Sequence, residues 1–252
     1  IHDEFGSPVA FYDGDMPTAL PKYAVDRGFK FSYFEGIDLS EYDAFFTNSV
    51  GVIPDLRELN ARNVYPLHYA IDPDLIKPMD IPKDMDISFY GVGDQFREEW
   101  MTKMITMPSQ RLQSVDFVVA GRGFKIDLGR SRMVGDMPYS SFGSFCCSSK
   151  ICLNITRWSH TCTYGSSTAR PFELAGHGSR IVSQPYNGIE EWFDVGKEIV
   201  VVNSEEEAIC EYQRLLDDLG EALEMGRRAR ARVLRDHTFV NRAQFLLDKL
   251  RT

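Results

Sequence analysis

The feature of this sequence that most limits its fold is an alternation repeated along its length. A short apolar run ends in a glycine or polar turn, a helical pattern follows, and the next apolar run begins. The runs lie at 8–12, 29–34, 44–47 and 64–67, then at 87–90, 116–120, 151–155, 181–183 and 199–202. Aromatic and β-branched residues dominate them, as in strands. Apolar spacing predicts helices over 17–26 and 53–62, then over 95–106, 138–147, 168–177, 188–194, 205–219 and 221–235, with a last one over 239–250. The clearest is 205–219, where Ala208, Ile209, Tyr212, Leu215, Leu216 and Leu219 share one face. Strands alternating with helices build parallel sheets covered on both faces, so the expected class is doubly wound α/β.

Residues 72–84 are rich in proline and charge and read as a linker between two such layers. A chain of 252 residues that is 43% hydrophobic suffices for two modest domains. Its net charge of -9 repels phosphate backbones, so a nucleic-acid partner is not expected. The one dense basic run, Arg227 to Arg235, spreads round several faces of a helix. Cys146, Cys147, Cys152, Cys162 and Cys210 form no C-x-x-C pair, and no histidine cluster has zinc spacing. Free thiols, a cytoplasmic setting and no bound metal are the expectation. No apolar run approaches the roughly 18 residues of a membrane span. There is no G-x-S-x-G elbow, and Gly91-Val92-Gly93 lacks the third glycine of a dinucleotide fingerprint.

Ligands of doubly wound sheets sit beyond the carboxyl ends of strands. The loops in question are 13–17, 91–94, 121–123, 135–138 and 156–168. The last leads into Ser166-Ser167-Thr168-Ala169-Arg170-Pro171-Phe172-Glu173, then Gly176 and Gly178. Ser167 or Thr168 suits an N-cap, Pro171 a first turn, and Gly178 the C′ position. Such a helix start attracts anions, and Arg157 and Arg170 add charge for a diphosphate. Glu173 either binds vicinal ribose hydroxyls from the cleft wall or lies exposed as a partner of the helix dipole. Asp13 and Asp15 are each a candidate general base or a cap for the helix near Pro17. His68 and His160 either line the cleft or are structural, and Trp158 and Tyr164 either stack on a ligand or pack their loop.

At these residues the sequence resembles the group 1 glycosyltransferases. The resemblance runs through Arg170-Pro171-Phe172-Glu173-Leu174-Ala175-Gly176, then Ile181-Val182-Ser183 and Gly188-Ile189-Glu190-Glu191. Within that group it is similar to the spore-maturation CgeB-like subgroup at 193–201 and at 230–243, and 68–73 resembles the interdomain hinge. The resemblance implies a GT-B architecture of two Rossmann-like domains facing across a cleft, the N-terminal one short. It divides the chain into an acceptor-side domain over 1–76, a nucleotide-sugar domain over 77–236, and a helix over 237–252 crossing back to the first.

It also implies a metal-independent glycosyltransferase, moving a sugar from a UDP-, GDP- or dTDP-linked donor to a glycan, protein or small-molecule hydroxyl. The nucleotide-sugar is a co-substrate, and no cofactor is implied. By matching position, Glu173 holds the ribose, and backbone near Asp136 and Met137 meets the base. Tyr164, Gly165, Ser166, Ser167 and Thr168 meet the phosphates, with Gly91, Gly93 and Arg97 opposite. Asp13, Asp15 and His68 are the catalytic candidates. Many retaining members carry a glutamate eight positions before the ribose-binding one, where this chain has Gly165. That departure leaves the stereochemistry open. It keeps two alternatives in view, a GT-B sugar-nucleotide epimerase and a non-catalytic nucleotide- or glycan-binding module.

Overall fold

The computed structural model describes residues 2–25 and 33–251. It contains two parallel sheets. The first is a three-stranded sheet, β1 (Ala10–Asp13), β2 (Ala44–Thr47) and β3 (Val64–Pro66), in that order. The second has six strands: β4 (Met85–Val92), β5 (Phe117–Arg122), β6 (Arg132–Gly135), β7 (Ser149–Asn154), β8 (Ile181–Ser183) and β9 (Val200–Val201). Their spatial order is β6-β5-β4-β7-β8-β9. This is the doubly wound order of a Rossmann domain, which reverses between β4 and β7 and opens a crevice at their carboxyl ends.

The helices are α1 (His2–Phe5), α2 (Pro21–Val25), α3 (Ile53–Glu58), α4 (Glu98–Met101), α5 (Met107–Arg111), α6 (Phe142–Cys147), α7 (Trp158–Cys162), α8 (Ala169–Gly176), α9 (Glu205–Asp217), α10 (Leu219–Asp236) and α11 (Phe239–Leu250). Strand residues of alternate parity feed opposite faces of the large sheet. Val118, Ala120, Cys152 and Ile181 pack with Phe142, Phe172 and Val233 from α6, α8 and α10. Phe117, Val119, Ile151, Leu153 and Val182 pack with Met101, Met104, Tyr212 and Leu215. The small sheet buries Phe45 against Leu20 and Leu56 on one face. On its other face Ala44, Phe46 and Leu67 meet Phe245, Leu246 and Leu250 of α11. The last helix thus lies on the first sheet.

Several boundaries differ from the sequence reading. The strand expected at 29–34 falls largely outside the described residues. The helix expected over 17–26 begins at Pro21 and that over 53–62 stops at Glu58, with Asn60 at φ 66. The helix expected over 95–106 continues to Arg111 through a π-helical turn, Thr102–Thr106. That expected over 188–194 is one 3-10 turn, Ile189–Glu191. The helix expected to run to Leu219 ends at Asp217, because Asp218 turns the chain and accepts from Glu221 N at 2.9 Å to start α10. Strand β6 was not expected. It is an exposed edge with an irregular register at Val119/Ala120, so it carries no buried alternation.

Candidate functional site

The crevice at the β4/β7 reversal is a cavity of about 180 Å³, lined by Gly91, Arg97, Thr156, Arg157, His160, Thr168, Arg170 and, from the smaller sheet, Asp15. Helix α8 aims its amino end into it. Thr168 is the N-cap, extended at φ -126 and ψ 161, and makes no side-chain cap bond. Contrary to the capping expected of Ser167 or Thr168, no side-chain hydrogen bond caps the helix start, whose Thr168 and Arg170 line the crevice. The far end closes as a Schellman motif: Gly178 at φ +71 donates to Ala175 O at 2.9 Å, and Ser179 donates to Leu174 O at 3.0 Å. The helix lies so close to the hinge that a Cβ on Gly176 would meet Ile76 Cγ2 at 2.6 Å.

Three arginines converge on the crevice. Asp94 pairs with Arg97 and, at 3.3 Å, with Arg157 Nε. Burial makes the Arg97 charge costly and Arg157 and Arg170 add repulsion, so its pKa is lowered despite Asp94. Arg170 lies over the Phe142 ring at 4.2 Å and the Tyr90 ring at 5.1 Å, which fixes its guanidinium by cation–π contact. Its Nη1 is 3.3 Å from Glu173 Oε2. Tyr139 donates to Glu173 Oε1 at 2.6 Å. Glu173 is only 8% exposed, which removes the exposed-dipole reading. Burial, then the bond to Glu173, raises the Tyr139 pKa and keeps it a donor.

The catalytic candidates separate. Asp15 lines the crevice, while Asp13 Oδ1 accepts the Asp15 amide at 2.7 Å and braces the turn. Burial raises the Asp13 pKa. His68 lies in the hinge, apart from this group. Its Nδ1 bonds Asn48 O at 3.2 Å, its ring meets Trp192 at 5.4 Å, and its carbonyl accepts from Arg242 at 2.6 Å. Burial and Arg242 lower its pKa to about 4.

The loop before α8 also differs from expectation. Gly165 N–H is taken by Asn187 O at 3.0 Å, and Ser167 N–H by Asn48 O at 2.8 Å. Ser166 bonds Met16 O at 3.0 Å, and Tyr164 bonds Glu191. These residues join the two sheets, and of the five only Thr168 lines the crevice. Gly91 lines the crevice, whereas Gly93 packs where a Cβ would meet Phe124 Cα at 2.5 Å. Asp136 pairs with Arg122 at 3.5 Å, and Tyr90 reaches Met137 O at 3.5 Å.

Sequence reasoning missed Asn48, whose Nδ2 donates to Ser167 O at 2.7 Å. It also missed Tyr139 as a partner of Glu173. Neither carries a local pattern, because each acts through a residue distant in the chain. Among the described residues no three His, Cys, Asp or Glu side chains group as metal ligands, and no helix is long and apolar enough to cross a membrane.

A family model described as glycosyl transferase-like matches residues 97–248, well over half of the chain. The chain belongs to this family, within the group 1 glycosyltransferases. Solved structures share its GT-B fold. HepE from Anabaena, in complex with UDP and glucose, superposes with a TM-score of 0.71 at 11% identity, over 97% of this chain and 72% of that one. Sucrose-phosphate synthase from Thermosynechococcus elongatus gives 0.65 at 15% identity, over 84% of this chain and 59% of that one. A TarM variant from S. aureus, in complex with UDP among other ligands, gives 0.67 at 11% identity, over 85% of this chain and 45% of that one. The chain therefore spans about half of the latter two. No curated protein matches it.

Proposed function

We propose that the chain transfers a sugar from a nucleoside-diphosphate donor to an acceptor hydroxyl. The observation that carries this reading is the amino end of α8, without a side-chain cap, beside Arg97, Arg157 and Arg170 in one crevice, with Glu173 one turn deeper. Breaking the bond from sugar to diphosphate builds negative charge on the leaving phosphate. Helix amides and preoriented guanidiniums stabilise that charge in a partly dry crevice. Glu173 supplies carboxylate lone pairs for ribose hydroxyls. Asp15, facing the crevice from the smaller sheet, is the general base for the acceptor.

Residues 1–76 then form the acceptor side and 77–236 the donor side, with 237–252 returning to the first. Within group 1, we assign the chain to the CgeB-like subgroup on residues 193–201 and 230–243. UDP is the first donor base to test, since HepE and TarM were solved with it.

A second reading, nucleotide binding without turnover, is favoured by Gly165. It sits at φ +55, a backbone region that L side chains rarely adopt, and a Cβ there would press on Val50 Cγ2 at 3.0 Å, so a carboxylate at this position is disfavoured. Calorimetric titration with UDP, GDP, ADP and dTDP tests the site. Binding to one of them, weakened at least about tenfold in Glu173→Ala, is expected for a buried charged contact. Release of the free diphosphate from the matching nucleotide-sugar separates transfer from binding. Absence of binding by all four ends both readings.

A further inference from the structure

His160 lies on α7 at the crevice wall and is only 4% exposed. Its Nδ1 is 3.1 Å from Ser166 Oγ, and Ser166 Oγ is 3.0 Å from Met16 O. A carbonyl can only accept, so the single Ser166 proton goes to Met16 O. Ser166 Oγ must then accept from His160 Nδ1–H. That fixes the tautomer and leaves the Nε2 lone pair free. Nε2 lies 3.9 Å from Asp15 Oδ1, and both residues line the same crevice.

The ring stays neutral, because burial, Arg157 and Arg97 push its pKa down to about 3. No proton therefore lies between Nε2 and the Asp15 carboxylate. Two acceptors from opposite sheets face each other, next to three cations. A phosphate has no proton to offer them at neutral pH, whereas a sugar offers several hydroxyl donors.

Granted the nucleotide-sugar site proposed above, we propose that His160 Nε2 and Asp15 Oδ1 together accept hydrogen bonds from hydroxyls of the transferred sugar, so that His160 selects the sugar and not the nucleotide, while the other Asp15 oxygen is left for the acceptor hydroxyl. The arginines and α8 hold the diphosphate, and Glu173 the ribose, so the two recognitions are separable. The Ser166–Met16 link comes from the other lobe, so the acceptor state of His160 depends on the lobes being joined. With its pKa lowered to about 3, His160 is a fixed acceptor and takes no proton from the acceptor substrate.

The test is calorimetry on wild type, His160→Ala, Asp15→Asn and Glu173→Ala, each titrated with UDP and UDP-glucose and with GDP and GDP-mannose. Asp15 is largely exposed, so Asp15→Asn keeps the test open should His160→Ala fail to fold. Its amide also donates to Nε2 and occupies the pair. The expected result is unchanged affinity for the free diphosphate, with the nucleotide-sugar weakened about fivefold to tenfold in both His160→Ala and Asp15→Asn. Equal weakening of diphosphate and nucleotide-sugar, or no weakening of either, overturns the proposal. In that case, loss of diphosphate binding in Glu173→Ala alone leaves the donor site standing. If wild type binds no nucleotide, the donor site and this proposal fall together.

Discussion

Tyr139 donates its hydroxyl to Glu173 Oε1 across 2.6 Å, while Arg170 Nη1 stands 3.3 Å from the carboxylate's other oxygen. The carboxylate is held from two sides before any ligand arrives. Tyr139→Phe removes one side. Tyr139 is 59% exposed, so water replaces part of the lost bond. Urea unfolding is expected to show a loss of about 1 kcal/mol, below the full value of a buried charged hydrogen bond. No loss would mean that water serves Glu173 as well as the phenol does.

Arg170 combines a cation–π contact with the Phe142 ring and its pair to Glu173. Arg170→Lys keeps the charge and loses both the guanidinium over the ring and the fork of donors. UDP affinity should fall about tenfold, with a small loss of stability. Equal affinity for UDP in calorimetry would show that only charge matters at this position.

Three histidines are held neutral. Burial takes His68 from 6.5 to about 4, and His160 and His237 from 6.5 to about 3, with arginines adding to each. As pH falls below 6.5 the unfolded chain takes up these protons and the folded chain does not. Their contribution to stability is therefore complete above pH 6.5 and is lost progressively as pH falls toward 4 for His68 and toward 3 for His160 and His237. Each histidine contributes a slope of at most about 1.4 kcal/mol per pH unit. Unfolding midpoints in urea between pH 7.5 and 5 should drop, and His237→Gln should flatten the drop if it folds.

Arg242 bolts α11 to the hinge. It donates to His68 O at 2.6 Å, Tyr69 O at 3.0 Å and Asp236 O at 3.1 Å, and lies 2.7 Å from His237 Nδ1. Arg242→Ala strips these part-buried acceptors at once and should cost about 3 kcal/mol. Hydrogen exchange should quicken first in β2, whose Phe46 packs with α11 residues. Uniform quickening across both sheets would argue against a local bolt.

Much of the larger sheet was legible because each of its inner strands is buried on both faces and reads as an apolar run. Strand β6 was not, because all of its residues but Gly135 are exposed. Helix α8 was legible down to Gly178, since caps and stops are set by neighbours in sequence. The error about its start was instructive. Ser167 looks like a cap, but its side chain bonds Asn48 O, far away in the chain, as its neighbour Ser166 bonds Met16 O. Small hydroxyl residues before a helix serve a cap or a lobe contact equally well, and local pattern does not distinguish the two.

From residue order alone come the alternating elements, the parallel class and the placing of Glu173 within a short helix, since periodicity and capping act over a few residues. Tertiary structure alone decided that Asp15 faces His160, that Tyr139 rather than solvent meets Glu173, and that His68 belongs to the hinge. Those relationships join residues from 20 to more than a hundred positions apart. Folding of the larger sheet and its helices brings Tyr139 to Glu173, and the approach of the two sheets brings Asp15 to His160; no short-range periodicity encodes either.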